Sequence, residues 1–288
     1  MYMLRVIEKR TDDSMLRLLV CDLDGTLLMR GQPFDPRDVQ ALHTLGANGV
    51  VRAIATGRAL ATARHVIPAE FPIDYLVFSS GAGILDWRTQ QLLVAHTLQP
   101  QQTELAVRTF LGHELDFMIH APIPDQHIFR FHRTGKPNAD FERRLARYVA
   151  EGRAFEHGAA DSPASQLLAV SSDADAAEPF DKLRRELPGL SVIRATSPLD
   201  GRSLWIEAFA PGASKSQAAA WIARTHAISR EDTWAIGNDY NDQDLLQWAC
   251  RAVVVRNAPT TLRAQYTPVD SVGAWLHATF TTGLGPPR

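Results

Sequence analysis

Two aspartates one residue apart, Asp22 and Asp24, stand where the apolar run of residues 16–21 gives way to Gly25 and Thr26. Side chains two apart on a strand point the same way, so the two carboxylates share a face. Without a cation or a shared proton between them they repel. The pair suits a Mg2+-assisted reaction in which one carboxylate is the nucleophile and its neighbour carries a proton. The structural alternative is an acidic turn closing a strand. What separates the two readings is the sheet edge on which the pair sits.

The run at 16–21 is short, apolar throughout and flanked by polar chain, as expected of a strand buried on both faces. Gly25 breaks it, which puts Asp22 and Asp24 at the carboxyl end. Helical spacing follows over 36–49, with Val39, Leu42 and Leu45 on one face and Asn48-Gly49 as its close. A second strand at 50–55 stops at Thr56-Gly57-Arg58, a helix covers 59–67, and a third strand at 75–78 stops at 79–83. Strand and helix alternating through short loops predict parallel βαβ units.

From about 86 to 197 the rhythm changes. Strand patterns at 92–96, 116–120, 127–132, 166–171 and 191–195 are interleaved with helices at 101–111, 139–149 and 179–187. Two of these strands adjoin with no helix between them, which implies antiparallel pairing. The alternating pattern resumes with a strand at 203–209, a helix at 214–225, strands at 233–236 and 252–255, and helices at 242–249 and 258–265. The expected fold is therefore α/β: a doubly wound (Rossmann-like) parallel-sheet core from 15–84 and 198–281, with an inserted α+β module at 85–197. Residues 1–14 and the tail after 281 read as weakly ordered ends.

Each polar cluster follows a strand of the parallel sheet: 22–26, 56–58, 79–83 and 237–242. Parallel strands bring such ends to one edge, where open α/β sheets bind ligands. Lys215, at the start of the helix before the fourth cluster, joins this series. The clusters read DLDGT, ATGR, SKSQ (around Lys215) and GNDYND. In that order, over residues 16–265, the chain resembles the haloacid dehalogenase-like hydrolases, specifically the Cof-type phosphatases. The insertion of about 110 residues lies where that subfamily carries an α/β cap.

The resemblance implies a Mg2+-dependent phosphatase acting on a small phosphorylated metabolite, with sugar phosphates the leading class. Asp22 is implied as nucleophile and Asp24 as acid/base. Thr56, Gly57, Lys215 and Asn241 are implied as phosphate contacts. The implied metal donors are Asp22, the Asp24 backbone carbonyl and the fourth cluster. That cluster departs from the usual Gly-Asp-x-x-Asn-Asp, because Asn238 stands where a metal carboxylate is expected. Either Asn238 coordinates directly or the loop lets Asp239 reach the ion, with Asp242 nearby. Ser80 before Gly81, where many relatives carry Asn, puts that loop's phosphate contact in question. Arg58, Ser80, Gly81 and His127 are the candidate substrate contacts. Alternatives are a phosphomutase, a pathway-specific biosynthetic phosphatase, and a non-hydrolytic sugar-phosphate sensor in which the metal site is weakened.

Composition bounds the rest. With 45% hydrophobic and 22% charged residues and a formal charge of −2, the chain has no basic field for nucleic acid or an anionic membrane. No apolar run spans a bilayer and the start has no signal-peptide core, which makes a cytoplasmic enzyme the default. A monomer or weak homodimer is expected. Cys21 and Cys250 read as small apolar core residues. Among ten histidines, His120 and His132 are expected at solvent or in the cleft, and no pair has zinc-ligand spacing backed by cysteine. Arg130 and Arg133 read as surface charges or readers of a second anion.

Overall fold

The computed structural model describes residues 15–156, 162–171 and 177–281. The two ends expected to be weakly ordered lie outside the described residues. The chain opens with β1 (Leu18–Asp22), α1 (Pro36–Ala47), β2 (Val51–Ala55), α2 (Leu60–Val66), β3 (Tyr75–Phe78), β4 (Gly83–Asp86) and β5 (Leu92–Ala95). It continues through α3 (Pro100–Gly112), β6 (Asp116–His120), β7 (Phe129–His132), α4 (Ala139–Arg147), β8 (Gly152–Ala154), β9 (Gln166–Ser171), α5 (Ala177–Glu186), β10 (Ser191–Thr196) and β11 (Leu204–Phe209). It closes with α6 (Lys215–Thr225), β12 (Thr233–Gly237), α7 (Gln243–Trp248), β13 (Arg251–Val255), α8 (Thr260–Arg263), β14 (Thr267–Val269) and α9 (Val272–Thr281).

Strands β3, β2, β1, β12, β13 and β14 lie side by side in that order, all parallel. This is the doubly wound arrangement, and its order reverses between β1 and β12, the position where such sheets open a ligand crevice. The side chains of β1 alternate between two apolar layers. Leu19 and Cys21 pack with α1, α2 and α9 on one face, while Leu18 and Val20 pack with α6, α7 and α8 on the other. Burial on both faces accounts for the unbroken apolar run read at this strand. Helix α1 starts where Asp35 accepts the Arg37 N–H at 2.8 Å and Pro36 opens the first turn. Helix α9, missing from the sequence reading, lies against α1 and sets Trp275 on Trp234 with ring centroids 5.3 Å apart.

The second sheet has the order β10-β11-β9-β6-β7-β8, antiparallel except for the β7–β8 pair. One face carries Phe117, Ile119, Leu167, Ala169 and Ile206 under α3 and α5. The other receives Phe141 and Leu145 of α4 on Met118, Leu168 and Trp205. All its strands fall between β5 and β12, so it is an insertion.

Sheet membership corrects the expected boundaries at both crossings. β4 turns back antiparallel on β3, and β5 follows on β4, so the larger sheet keeps the chain as far as Ala95 instead of 84. β11, placed in the core from the sequence, pairs on both edges with β10 and β9, so the insertion runs past 197 to Phe209. Short strands reveal their period but not their partners. Two further expectations fail. Cys250 follows the end of α7 and is exposed, and only Cys21 is in the core. His120 is 6% exposed, which removes solvent and leaves the cleft from its two expected places: its Nδ1–H donates to the Gln126 carbonyl at 2.8 Å, and burial pulls its pKa down to about 3.

Candidate active site

The four polar clusters meet at the carboxyl edge of the parallel strands. Asp22 is the last residue of β1 and is 4% exposed. Lys215, at the first turn of α6, is fully buried, and its ammonium lies 2.7 Å from Asp22 Oδ1 and 2.5 Å from Asp242 Oδ1. Ser214 caps α6 by accepting the Gln217 N–H, which fixes where the Lys215 side chain leaves the helix. Burial pushes the Asp22 carboxyl up to about 7, with Asp242 adding to the rise and Lys215 opposing it. Burial works against the Lys215 charge too, but the two carboxylates outweigh it and raise its pKa above the ordinary lysine value. Two acids and one base thus share a dry site with one negative charge in excess, a setting that favours a further cation.

A place for that cation exists. One end of the Asn238 amide lies 3.1 Å from both Asp22 Oδ2 and the Asp24 backbone carbonyl. With nitrogen at that end, the amide donates to both. With oxygen there, three acceptors converge with no hydrogen among them, and a hard cation satisfies all three. Among the described residues no three His, Cys, Asp or Glu side chains form a metal cluster. The donor set here is instead one carboxylate, one carbonyl and one amide. Gly25 makes this approach possible: its φ is +81°, and a Cβ at position 25 would stand 2.3 Å from the other end of the Asn238 amide.

Asp239 and Asp242, expected beside the ion, are engaged elsewhere. Asp239 accepts from the Thr196 N–H at 2.8 Å and the Thr196 hydroxyl at 2.9 Å, so it ties the fourth cluster to β10 of the inserted sheet. Asp242 gives one oxygen to Lys215 and the other to the N–H groups of Asn238 (2.8 Å) and Asp239 (3.1 Å). It shapes the loop and holds the lysine. Between the two candidates the sequence left open, Asn238 is the one the fold brings to Asp22.

The remaining candidates fall around this centre. Thr56 is buried at the end of β2, its hydroxyl oxygen accepting the Arg58 N–H at 3.1 Å while its hydrogen stays free to donate. Gly57 faces a small space: an added methyl would lie 3.5 Å from Ser80 Oγ and 3.7 Å from Asn241 Nδ2. Arg58 forks onto Asp24 with contacts of 2.8 and 2.6 Å. Ser80, a candidate substrate contact, donates its hydroxyl to Glu207 Oε2 at 3.1 Å. Gly81 (φ +101°) packs on the chain just before Lys215, where a Cβ would meet the Ser214 carbonyl at 2.2 Å. Its role is to let the β3 loop and the start of α6 touch. His127 lies in the segment before β7, with Nδ1 buried and unpartnered. Its neighbour Gln126 reaches the larger sheet's layer by accepting the Leu60 N–H at the start of α2, at 3.0 Å in the amide orientation that satisfies both groups.

Sequence reasoning missed the polar residues that join the two sheets. Glu207, buried in β11, accepts from Ser80 and, at 2.8 Å, from Gln166 Nε2. A lone acid within the apolar strand LWIEAF was the signal. Thr196 carried none.

The haloacid dehalogenase-like hydrolase family model matches residues 19–269. An HMP-PP phosphatase of Cronobacter sakazakii is 28% identical over 265 residues, covering 90% of this chain and 91% of the relative. That of Yersinia enterocolitica is 24% identical over 270 residues, covering 90% of each. Among solved structures, a Bacteroides thetaiotaomicron phosphatase of the haloalkanoate superfamily superposes with a TM-score of 0.72 at 20% identity, over 93% of this chain and 95% of its own. A HAD subclass IIB sugar phosphatase gives 0.70 at 18%, over 91% and 98%. With that family model matching residues 19–269, the chain belongs to the haloacid dehalogenase-like hydrolases.

Proposed function

We propose that the protein is a Mg2+-dependent phosphatase that hydrolyses a small phosphate monoester through an aspartyl-phosphate on Asp22. The observation that carries this reading is the buried Lys215 ammonium held between Asp22 and Asp242, where Asp22 Oδ2, the Asp24 carbonyl and one end of the Asn238 amide converge. Asp22 Oδ2, the Asp24 carbonyl and the Asn238 amide oxygen are the groups that would hold the ion. When bound, Mg2+ supplies positive charge against the phosphoryl oxygens.

Asp22 Oδ1, oriented by Lys215, attacks phosphorus, and a bond from that oxygen to phosphorus forms as the bond to the leaving alcohol breaks. Asp24, protonated, gives its proton to the departing oxygen. It then takes a proton from the water that attacks the aspartyl-phosphate, which releases phosphate and restores the Asp22 carboxylate. Asp24 must first exchange one of its contacts to Arg58 for the leaving oxygen, a shift of one side chain. The Thr56 hydroxyl, the Lys215 ammonium and the Asn241 amide donate to the phosphoryl oxygens, a preorganised set of donors.

Small substrates follow from how closely the cap meets the catalytic edge. Thr196 to Asp239, Glu207 to Ser80 and Gln126 to Leu60 all cross between the two sheets. The phosphatase names of the relatives support the monoesterase reading, and the sugar phosphatase among the structural neighbours supports a phosphorylated small molecule. No helix of the described residues is long and apolar enough to cross a membrane.

Release of p-nitrophenol from p-nitrophenyl phosphate tests the reading. Turnover with Mg2+, lost on chelation, is expected; no release with any divalent cation at neutral pH overturns it. A second expectation concerns the unusual ligand. Asn238→Asp adds a charge to the donor set and lowers the Mg2+ concentration for half-maximal turnover by about tenfold. An unchanged Mg2+ titration would remove Asn238 from the site.

A further inference from the structure

Among the described residues Arg144 is a cation with no ion-paired acid. It leaves α4 toward the inserted sheet, where its Nε–H points at the sulfur of Met118 at 3.2 Å. Its guanidinium carbon lies 4.5 Å from the Trp205 ring centroid and 5.6 Å from that of Tyr148. A thioether is a weak acceptor. Among the described residues no carboxylate forms an ion pair with Arg144, although burial lowers its pKa below the ordinary arginine value. The two nearest acids are occupied. Glu207 accepts from Ser80 and Gln166, and Asp140 accepts from the Ser197 hydroxyl at 2.9 Å and the Trp205 Nε1–H at 2.8 Å. They temper the charge but do not fill its donors. Its terminal N–H groups make no hydrogen bond among the described residues and are not sealed from solvent, so they stay open to an arriving acceptor.

Its position says which partner. Trp205, which carries the guanidinium, lies two residues before Glu207 on β11, so both side chains leave the sheet on one face, and Glu207 reaches Ser80, whose hydroxyl borders the space at Gly57. β11 meets the catalytic edge through that contact, so Arg144 lies on the face of the cap turned toward the site, where a group carried by the leaving alcohol of the reaction proposed above can reach it. The aromatic rings fix the plane of the fork, a geometry suited to a bidentate oxyanion.

Resting on the phosphatase reading, we propose that Arg144 recognises a second oxyanion, a carboxylate or a phosphate, carried by the leaving group of the substrate. The enzyme then acts on phosphate monoesters with two anionic ends. The scissile phosphate sits against Lys215, and the remote anion docks on the Trp205–Tyr148 side of the cap.

Phosphate release from three matched pairs tests this: 3-phosphoglycerate against glycerol 3-phosphate, 6-phosphogluconate against glucose 6-phosphate, and fructose 1,6-bisphosphate against fructose 6-phosphate. The first two pairs probe a carboxylate and the third a phosphate. The wild type is expected to prefer the doubly anionic member of at least one pair by about tenfold or more in kcat/KM, the scale of one charged hydrogen-bonded contact. Arg144→Gln is expected to bring that ratio close to one. Because the ratio compares two substrates on one preparation, loss of folded protein does not alter it. Equal rates within every pair overturn the inference while leaving the phosphatase reading intact. A ratio unchanged in Arg144→Gln overturns it as well. No release from any of these compounds or from p-nitrophenyl phosphate overturns both.

Discussion

Asp22→Asn lowers kcat by about 10^4-fold or more, the scale seen when a covalent nucleophile is removed. The amide is close in shape to the carboxylate and its oxygen can still accept from Lys215, so the side chain stays where β1 places it. What it loses is the charge and lone-pair basicity needed to attack phosphorus. The same substitution has an opposite effect on stability. The wild-type carboxyl is pushed up to about 7 by burial and by Asp242, with Lys215 only partly opposing. A group held in that state destabilises the metal-free fold when it is ionised. Its neutral replacement leaves Lys215 and Asp242 as a matched pair, and the metal-free variant melts at or above the wild-type temperature. Steady-state phosphate release and thermal melts in a chelator measure both. Activity above a few per cent of wild type would transfer the nucleophile's role to another residue, and a marked fall in melting temperature would contradict the charge excess described at this site.

Lys215→Met has the second largest effect, on stability and turnover together. The lysine is fully buried between two carboxylates, and methionine fills a similar volume without its charge. Asp22 and Asp242 are then left facing each other in the dry site, and breaking a buried pair in this way costs about 3–5 kcal/mol. Turnover falls as well, because the phosphoryl oxygens lose their ammonium donor. The double variant Lys215→Met, Asp22→Asn separates the two effects. Removing one of the opposed charges restores part of the lost stability, giving a coupling between sites that a simple packing defect would not show. Urea unfolding of the two single variants and the double variant, without metal, measures this coupling. Strict additivity would mean that the three side chains do not share one electrostatic site.

Much of the core was legible because its strands are buried on both faces and its helices on one. β3 was read with the bounds the structure has, and the carboxyl ends of β1, β2 and β12 fall at the clusters expected to hold the chemistry. Periodicity reports the burial of an element, so it located elements well. It does not report partners. β5 was assigned to the insertion and β11 to the core, because a half-exposed strand of four residues and a buried one of six look alike whichever sheet receives them. Helix α9 went unread although its apolar residues pack against α1 and Trp234 and Ser271, just before it, caps it by accepting the Ala274 N–H at 3.2 Å.

At the site, the aspartate pair, the threonine and the lysine could be named from four short strings because each follows a strand end in a parallel sheet. Which oxygen each side chain uses could not. Asp239 and Asp242 sit three apart in one loop and carry the same carboxylate, yet one crosses to Thr196 and the other closes on Lys215 and two backbone N–H groups. Loop conformation decides such a division, and it depends on contacts from elements distant in the chain.

The sequence by itself determined the doubly wound core, the edge at which its polar clusters gather, and the chemistry open to two carboxylates with a lysine, because these follow from burial, periodicity and residue type. The tertiary structure alone decided that Asn238 faces Asp22, that Ser80 belongs to Glu207, and that Arg144 lies among aromatic rings with no acid paired to it. Those are matters of which side chains meet across two sheets. Hydrogen bonds and charges act over a few ångströms in space, and residues more than a hundred positions apart in the chain come within that distance only once it has folded.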